Sequence, residues 1–112
     1  MISLIESGGF MQYILLSTDG PVSLYEVPDK IAKELTKYCI EFLKWAENGP
    51  EAKRFKKGYR PEQEFINYIN NVVNKNCIYK SQLIKTIANT DEEKLQVLEV
   101  TEPYKDYPYF NF

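Results

Sequence analysis

The sequence predicts an α+β fold, in which a small antiparallel sheet from the N- and C-terminal segments packs against two central helices. Three observations lead to this class. Strand-like segments lie towards both ends of the chain, an Asp-Gly turn signal joins two of them, and helical periodicity fills the middle. The 112 residues suffice for one hydrophobic core and not for two, so we expect a single domain over residues 1–112.

The first predicted element is a β-hairpin. The segment "MQYILLS" (11–17) has the composition of a strand, and "VSLYEV" (22–27) alternates its side chains as a half-buried strand does. Between them stands "TDGP", whose Asp19-Gly20 pair favours a tight turn because glycine adopts positive φ without steric cost. Residues 1–9 form either a further strand, through "ISLIE", or an N-terminal extension.

The clearest predicted element is a helix from Pro28 to about Glu47. Lysine and glutamate alternate along one face of this helix. The Gly and Pro of "NGP" at 48–50 are residues that end helices. Apolar residues recur along it at steps of three and four and form one face, namely Ile31, Leu35, Tyr38, Phe42 and Trp45, widened by Ala32, Cys39, Leu43 and Ala46.

A second helix is predicted from Pro61 to about Lys75, with a buried stripe of Phe65, Ile66, Ile69, Val72 and Val73. The segment "CIYKSQLIKTIA" (77–88) then fits a strand and a short helix equally well. "TDEE" (90–93) resembles a helix capping box, whereas "KLQVLEV" (94–100) has strand composition. We predict a C-terminal strand at 94–100, as one arm of a hairpin.

The closing segment "YKDYPYFNF" contains five aromatic residues in nine. If it were free, it would expose a large aromatic surface of the kind that marks an interaction site or an aggregation liability. A small domain gains stability from burying such side chains. We therefore predict that the segment closes over the sheet or the helices and is not a docking motif.

Four stretches, "MQYILLSTDGP", "KYCIEFLKW", "EFINYIN" and "YPYFNF", span most of the chain from Met11 onward. Together they resemble a family of small uncharacterised bacterial proteins that end in a YPxFNF-like sequence. The resemblance includes no catalytic motif and no known ligand, so it implies no functional residues. It does imply that the closing segment belongs to the domain.

Several classes of activity are disfavoured by what the sequence lacks. Histidine, the commonest general base near neutral pH and the commonest metal ligand, does not occur. The glycines form no phosphate-binding motif, and the acids Asp91, Glu92 and Glu93 are more typical of a solvated turn than of a Mg²⁺ or Ca²⁺ site. We expect no enzyme activity, no cofactor and no metal.

The first basic residue is Lys30, so the cationic start of a secretory signal is missing. No apolar run approaches the roughly 20 residues of a membrane span. We expect a cytoplasmic protein without membrane contact, in which Cys39 and Cys77 are buried thiols and not a disulfide.

Charge is unevenly distributed along the chain. The net charge is −2, yet residues 30–80 carry eleven bases and six acids. The segment "KRFKKGYR" (53–60) interleaves five of these bases with two aromatic residues. The segment is either a solvated connector, with Phe55 and Tyr59 turned inward, or the contact surface for a partner. If a partner binds here, the candidate residues are Lys53, Arg54, Lys56, Lys57, Tyr59 and Arg60.

The lack of catalytic groups and the surplus of tyrosines favour a small protein-interaction module. Such a module would be an inhibitor, an immunity-type protein or a regulatory protein that binds a protein partner of unknown identity. Nucleic-acid binding through residues 53–60 is the alternative, and the net negative charge disfavours it. Both a monomer and a homodimer joined at a sheet edge fit the sequence.

Overall fold

The computed structural model describes residues 11–48 and 58–112. The strands are β1 (Met11–Ser17), β2 (Val22–Pro28), β3 (Gln82–Ala88) and β4 (Tyr109–Asn111). The helices are α1 (Asp29–Lys33), α2 (Leu35–Asn48), α3 (Pro61–Tyr68), which continues as a π-helical turn (Ile69–Val73), and α4 (Asp91–Glu99), followed by a 3₁₀ turn (Tyr104–Asp106). The predicted α+β class is confirmed.

The four strands form one sheet in the order β3-β2-β1-β4. β1 and β2 form the predicted hairpin, and Asp19 in its turn has a positive φ of 51°. β3 pairs antiparallel with β2, whereas β4 pairs parallel with β1. The sheet is therefore mixed and not purely antiparallel, because the chain returns to the far edge through a long connection that includes α4.

Helices α1 to α3 cover one face of the sheet. Ile14 and Leu16 of β1 and Val27 of β2 pack there with Phe42 of α2 and Phe65 of α3, all fully buried. The predicted helix from Pro28 to Glu47 is divided, because Glu34 leaves helical geometry with φ −124° and ψ 41°. Leu43 and Trp45, predicted on its apolar face, are about half-exposed, and so is Val72, which was predicted in the buried stripe of the second helix.

Helix α4 covers the opposite face, where Val97 packs against Leu15, Val22 and Leu24. The strand predicted at 94–100 is wrong. A capping box starts the helix: the Thr90 hydroxyl accepts the Glu93 N–H at 3.1 Å, and the Glu93 carboxylate accepts the Thr90 N–H at 3.0 Å. These local hydrogen bonds favour a helix over the strand that the side-chain composition suggests.

The closing segment belongs to the core, as predicted. Phe110 and Phe112 pack on the cluster beneath α2 and α3, and the Phe112 ring centre lies 5.8 Å from that of Phe42. Tyr104, Tyr107 and Tyr109 pack on the opposite cluster. The segment therefore contributes to both faces of the sheet.

Candidate functional site

The structure describes two of the six predicted contact residues. Arg60 is exposed just before α3, with its Nε 3.9 Å from a carboxylate oxygen of Glu62, and Tyr59 beside it is half-buried. The other four, Lys53, Arg54, Lys56 and Lys57, lie outside the described residues. The grouping of these six residues at one surface therefore stays a prediction.

Strand β3 forms one edge of the sheet. Within residues 11–48 and 58–112, its only strand partner is β2, so its outer side presents backbone N–H and C=O groups with no ladder partner. The first five of its seven residues are exposed. Such an edge is a template for pairing with another chain.

Large apolar side chains are exposed to solvent along this edge. Leu83 is 49% exposed and Ile84 is 41% exposed, and Ile78 in the preceding loop is 76% exposed. Full burial of one such side chain is worth about 1.5–3 kcal/mol, so a partner that covers them gains binding free energy. We call these residues, together with Lys75, Lys80 and Lys85 of the same segment, the β3 patch.

Two irregularities interrupt the pairing of β3 with β2. The register passes from Tyr25↔Leu83 to Leu24↔Lys85, and from Ser23↔Thr86 to Val22↔Ala88, so that Ile84 and Ile87 have no opposite residue in β2. Bulges of this kind twist an edge strand, and together with a lysine they oppose indiscriminate pairing. The β3 patch thus combines exposed apolar side chains with protection against open-ended stacking.

The loop that enters β3 is held by the π-helical turn. The Asn70 side chain accepts the Ser81 N–H at 2.7 Å and donates to the Ser81 carbonyl at 2.9 Å. Lys80 Nζ donates to the carbonyls of Asn70 (3.4 Å) and Lys75 (3.3 Å). The start of the patch is therefore ordered in advance, which lowers the entropy cost of binding.

A second surface lies at the opposite edge of the sheet. Two open grooves of 420 and 280 Å³ adjoin there and share Ala32, Lys33 and Pro108. The Tyr13 and Tyr107 rings meet beside them at 5.6 Å, and burial raises the pKa of Tyr107. Lys33 Nζ already pairs with Asp29 at 2.9 Å, so we regard this surface as the weaker candidate.

A metal site or a thiol nucleophile would require a particular arrangement of the titratable side chains among the described residues. No group of three or more His, Cys, Asp or Glu side chains is placed there to hold a metal ion. Cys39 is a buried free thiol whose pKa is raised by burial, so it is a poor nucleophile. Cys77 forms no disulfide, as predicted, but it is half-buried and not the buried thiol that the sequence predicts.

None of the helices in residues 11–48 and 58–112 is both long and apolar enough to cross a membrane. Comparison with protein-family models, with curated proteins and with solved structures finds no match to this chain.

Sequence reasoning missed the β3 patch. The segment "CIYKSQLIKTIA" (77–88) is rich in apolar residues, which normally indicates burial. The strand order places these residues at an edge of the sheet, where Leu83 and Ile84 are about half-exposed. Lys80 and Lys85, which stand between these apolar residues, are the sequence feature that indicates an edge strand, because exposed edge strands commonly carry lysine.

Proposed function

We infer that this chain is a cytoplasmic protein-interaction module that acts by binding and not by catalysis. It would serve as an inhibitor, an immunity-type protein or a regulatory protein by occluding a protein partner. The observation that carries this proposal is the β3 edge, where Leu83 and Ile84 are about half-exposed on a strand that pairs, among the described residues, with β2 alone.

A protein partner suits this surface better than a small molecule does. Small ligands are usually enclosed in concave, mostly apolar pockets, whereas β3 presents a linear edge with backbone groups and side chains in a row. Proteins recognise such an edge by adding an extended segment to it, with main-chain hydrogen bonds for affinity and side chains for specificity.

The proposal is tested by affinity capture from a cell lysate, with the intact chain and an Ile84→Arg variant as baits. Arginine at this exposed position disrupts apolar contact and edge pairing while leaving the core unchanged. Leu95→Arg is the matched control, because Leu95 is 59% exposed on α4. We expect a stoichiometric protein that survives nuclease treatment, is retained by the control and is lost with Ile84→Arg.

A partner that Ile84→Arg retains at the control level would contradict the role of β3, and an empty capture would count against the proposal as a whole. Material that disappears with nuclease would support nucleic-acid binding instead. The predicted segment 53–60 is a second proposed contact region, and a Lys56→Glu, Lys57→Glu variant tests it in the same assay.

A further inference from the structure

We propose that the partner binds the β3 patch with an acidic, extended segment. The inference rests on the proposed function and adds the chemistry of the partner. It follows from the charge around β3, from the pairing that two β3 strands would make, and from the faces on which the side chains of β3 lie.

β3 and the part of the chain that leads into it carry charge of one sign. Residues 65–90 contain Lys75, Lys80 and Lys85 and no aspartate or glutamate. All three lysines are exposed. The salt bridges found among the described residues involve other bases, namely Lys33, Lys37, Arg60 and Lys105.

Hydrogen bonds hold one positive charge of the patch in place. Lys80 Nζ is held by two backbone carbonyls at the entrance to β3, which fixes a positive charge there. Glu26 in the adjacent strand accepts a hydrogen bond from Gln82 at 3.3 Å. Acids follow at the other end of the strand, where Asp91, Glu92 and Glu93 form the first turn of α4. The positive charge of the patch is therefore concentrated at the entrance to β3, where carboxylates on a partner complement it and steer its approach.

A second copy of the chain is a poor occupant of this edge. Lys85 is the only charged residue of β3. If two β3 strands paired antiparallel about a two-fold axis, their Lys85 residues would lie close together, and like charges opposite each other destabilise a sheet. The same lysines attract a strand that carries aspartate or glutamate.

The placement of side chains favours an extended segment over a helix. Leu83 pairs with Tyr25, which belongs to the cluster under α2, whereas Lys85 pairs with Leu24, which belongs to the cluster under α4. The two side chains thus lie on opposite faces of the sheet. An extended chain directs successive side chains to opposite faces and reaches both, with acids on the side of Lys85.

The experiment selects displayed random peptides of about ten residues on the immobilised intact protein. The same selection is run on a Lys75→Glu, Lys85→Glu variant, which leaves the hydrogen-bonding Lys80 amine in place. A Lys30→Glu, Lys44→Glu variant changes the net charge equally on α1 and α2 and is the matched control. Lys30 and Lys44 are exposed.

We expect enriched peptides that alternate aspartate or glutamate with β-branched residues, from the intact protein and the control alike. Their affinity should fall about 2- to 30-fold with Lys75→Glu, Lys85→Glu, since each exposed charge pair contributes modestly, and it should fall with added salt.

Enrichment of neutral or basic peptides, equal selection by the charge-reversed variant, or no enrichment would each overturn the acidic segment. A dimer in analytical ultracentrifugation that Ile84→Arg abolishes would do the same, because the occupant would then be a second copy. If a lysate partner still depends on Ile84 while the selection shows no preference for acids, the proposed function stands and only this inference fails.

Discussion

At the scale of single residues, one buried serine organises the closing segment. Ser17 donates its only hydroxyl proton to Asn111 Oδ1 at 2.7 Å, so the Tyr109 hydroxyl, 2.8 Å away, is the donor in its own contact with Ser17. Asn111 also accepts the Asp19 N–H and donates to the Asp19 carboxylate, both at 2.9 Å. These hydrogen bonds join the hairpin turn to β4.

Because Tyr25 is buried, we predict that the free energy of unfolding falls at alkaline pH. Burial, with a smaller contribution from the charge of Glu62, raises its pKa from 10.0 to about 12. The unfolded chain ionises first, so the contribution of Tyr25 is complete below pH 10 and declines as the pH rises towards 12. The free energy of unfolding falls by at most about 1.4 kcal/mol per pH unit, and solvent screening reduces this value.

Urea unfolding at about pH 9 and about pH 11 measures this effect. Tyr25→Phe should show a smaller loss of stability than the intact chain across that interval. Burial also raises the pKa of the Cys39 thiol from its usual 9.0, so Cys39→Ala separates the contribution of the thiol. If the free energy of unfolding falls equally between the two pH values in the intact chain and in Tyr25→Phe, the Tyr25 hydroxyl is solvated.

At the scale of elements, helix α4 depends on its capping box. Thr90→Ala removes the side-chain acceptor for the Glu93 N–H, and we expect the free energy of unfolding to fall by about 0.5–2 kcal/mol. Chemical denaturation followed by circular dichroism measures the change. Thr90→Ser keeps a hydroxyl and should lose much less; if both variants lose the same amount, the hydrogen bond is not the cause.

The elements also show where the sequence was sufficient. The periodicity of Ile31, Leu35 and Phe42 located a helical region correctly because a buried stripe needs that spacing. In α4 the side chains misled, since "KLQVLEV" buries only Val97 fully, and the local cap decided the structure. The break at Glu34 has no signal of its own in the sequence.

At the scale of the whole molecule, sequence patterns describe what a segment prefers and not which edge it joins. The parallel pairing of Tyr109 with Leu15 and the exposure of Leu83 depend on the order of strands in the sheet. That order is set by packing between distant parts of the chain, so neither could be predicted. The exposed β3 patch was therefore missed, whereas the packing of the aromatic closing segment on the core was predicted correctly.

The closing segment predicts a large effect of truncation. Ending the chain at Pro103 removes β4 and uncovers Phe42 and Phe65, whose rings lie 5.8 and 5.6 Å from that of Phe112. We expect the melting temperature to fall by more than about 10 °C, since each kcal/mol is worth several degrees in a domain of this size. Thermal unfolding followed by circular dichroism measures it.

Tyr109→Phe provides a milder companion to the truncation, because it removes only the contact with Ser17. We expect a loss of about 0.5–1.5 kcal/mol. An unchanged melting temperature in the truncated chain would show that the segment is not part of the core.

The parallel pair of β1 and β4 joins residues that lie far apart along the chain. Ser17 and Asn111 are 94 positions apart, so the parallel pair must close a long loop before it gains any contact, and such contacts slow folding. The Leu15 N–H donates to the Pro108 carbonyl, and the Phe112 N–H to that of Ser17. Hydrogen exchange at these two amides would therefore report detachment of the closing segment while the β1–β2 hairpin stays folded.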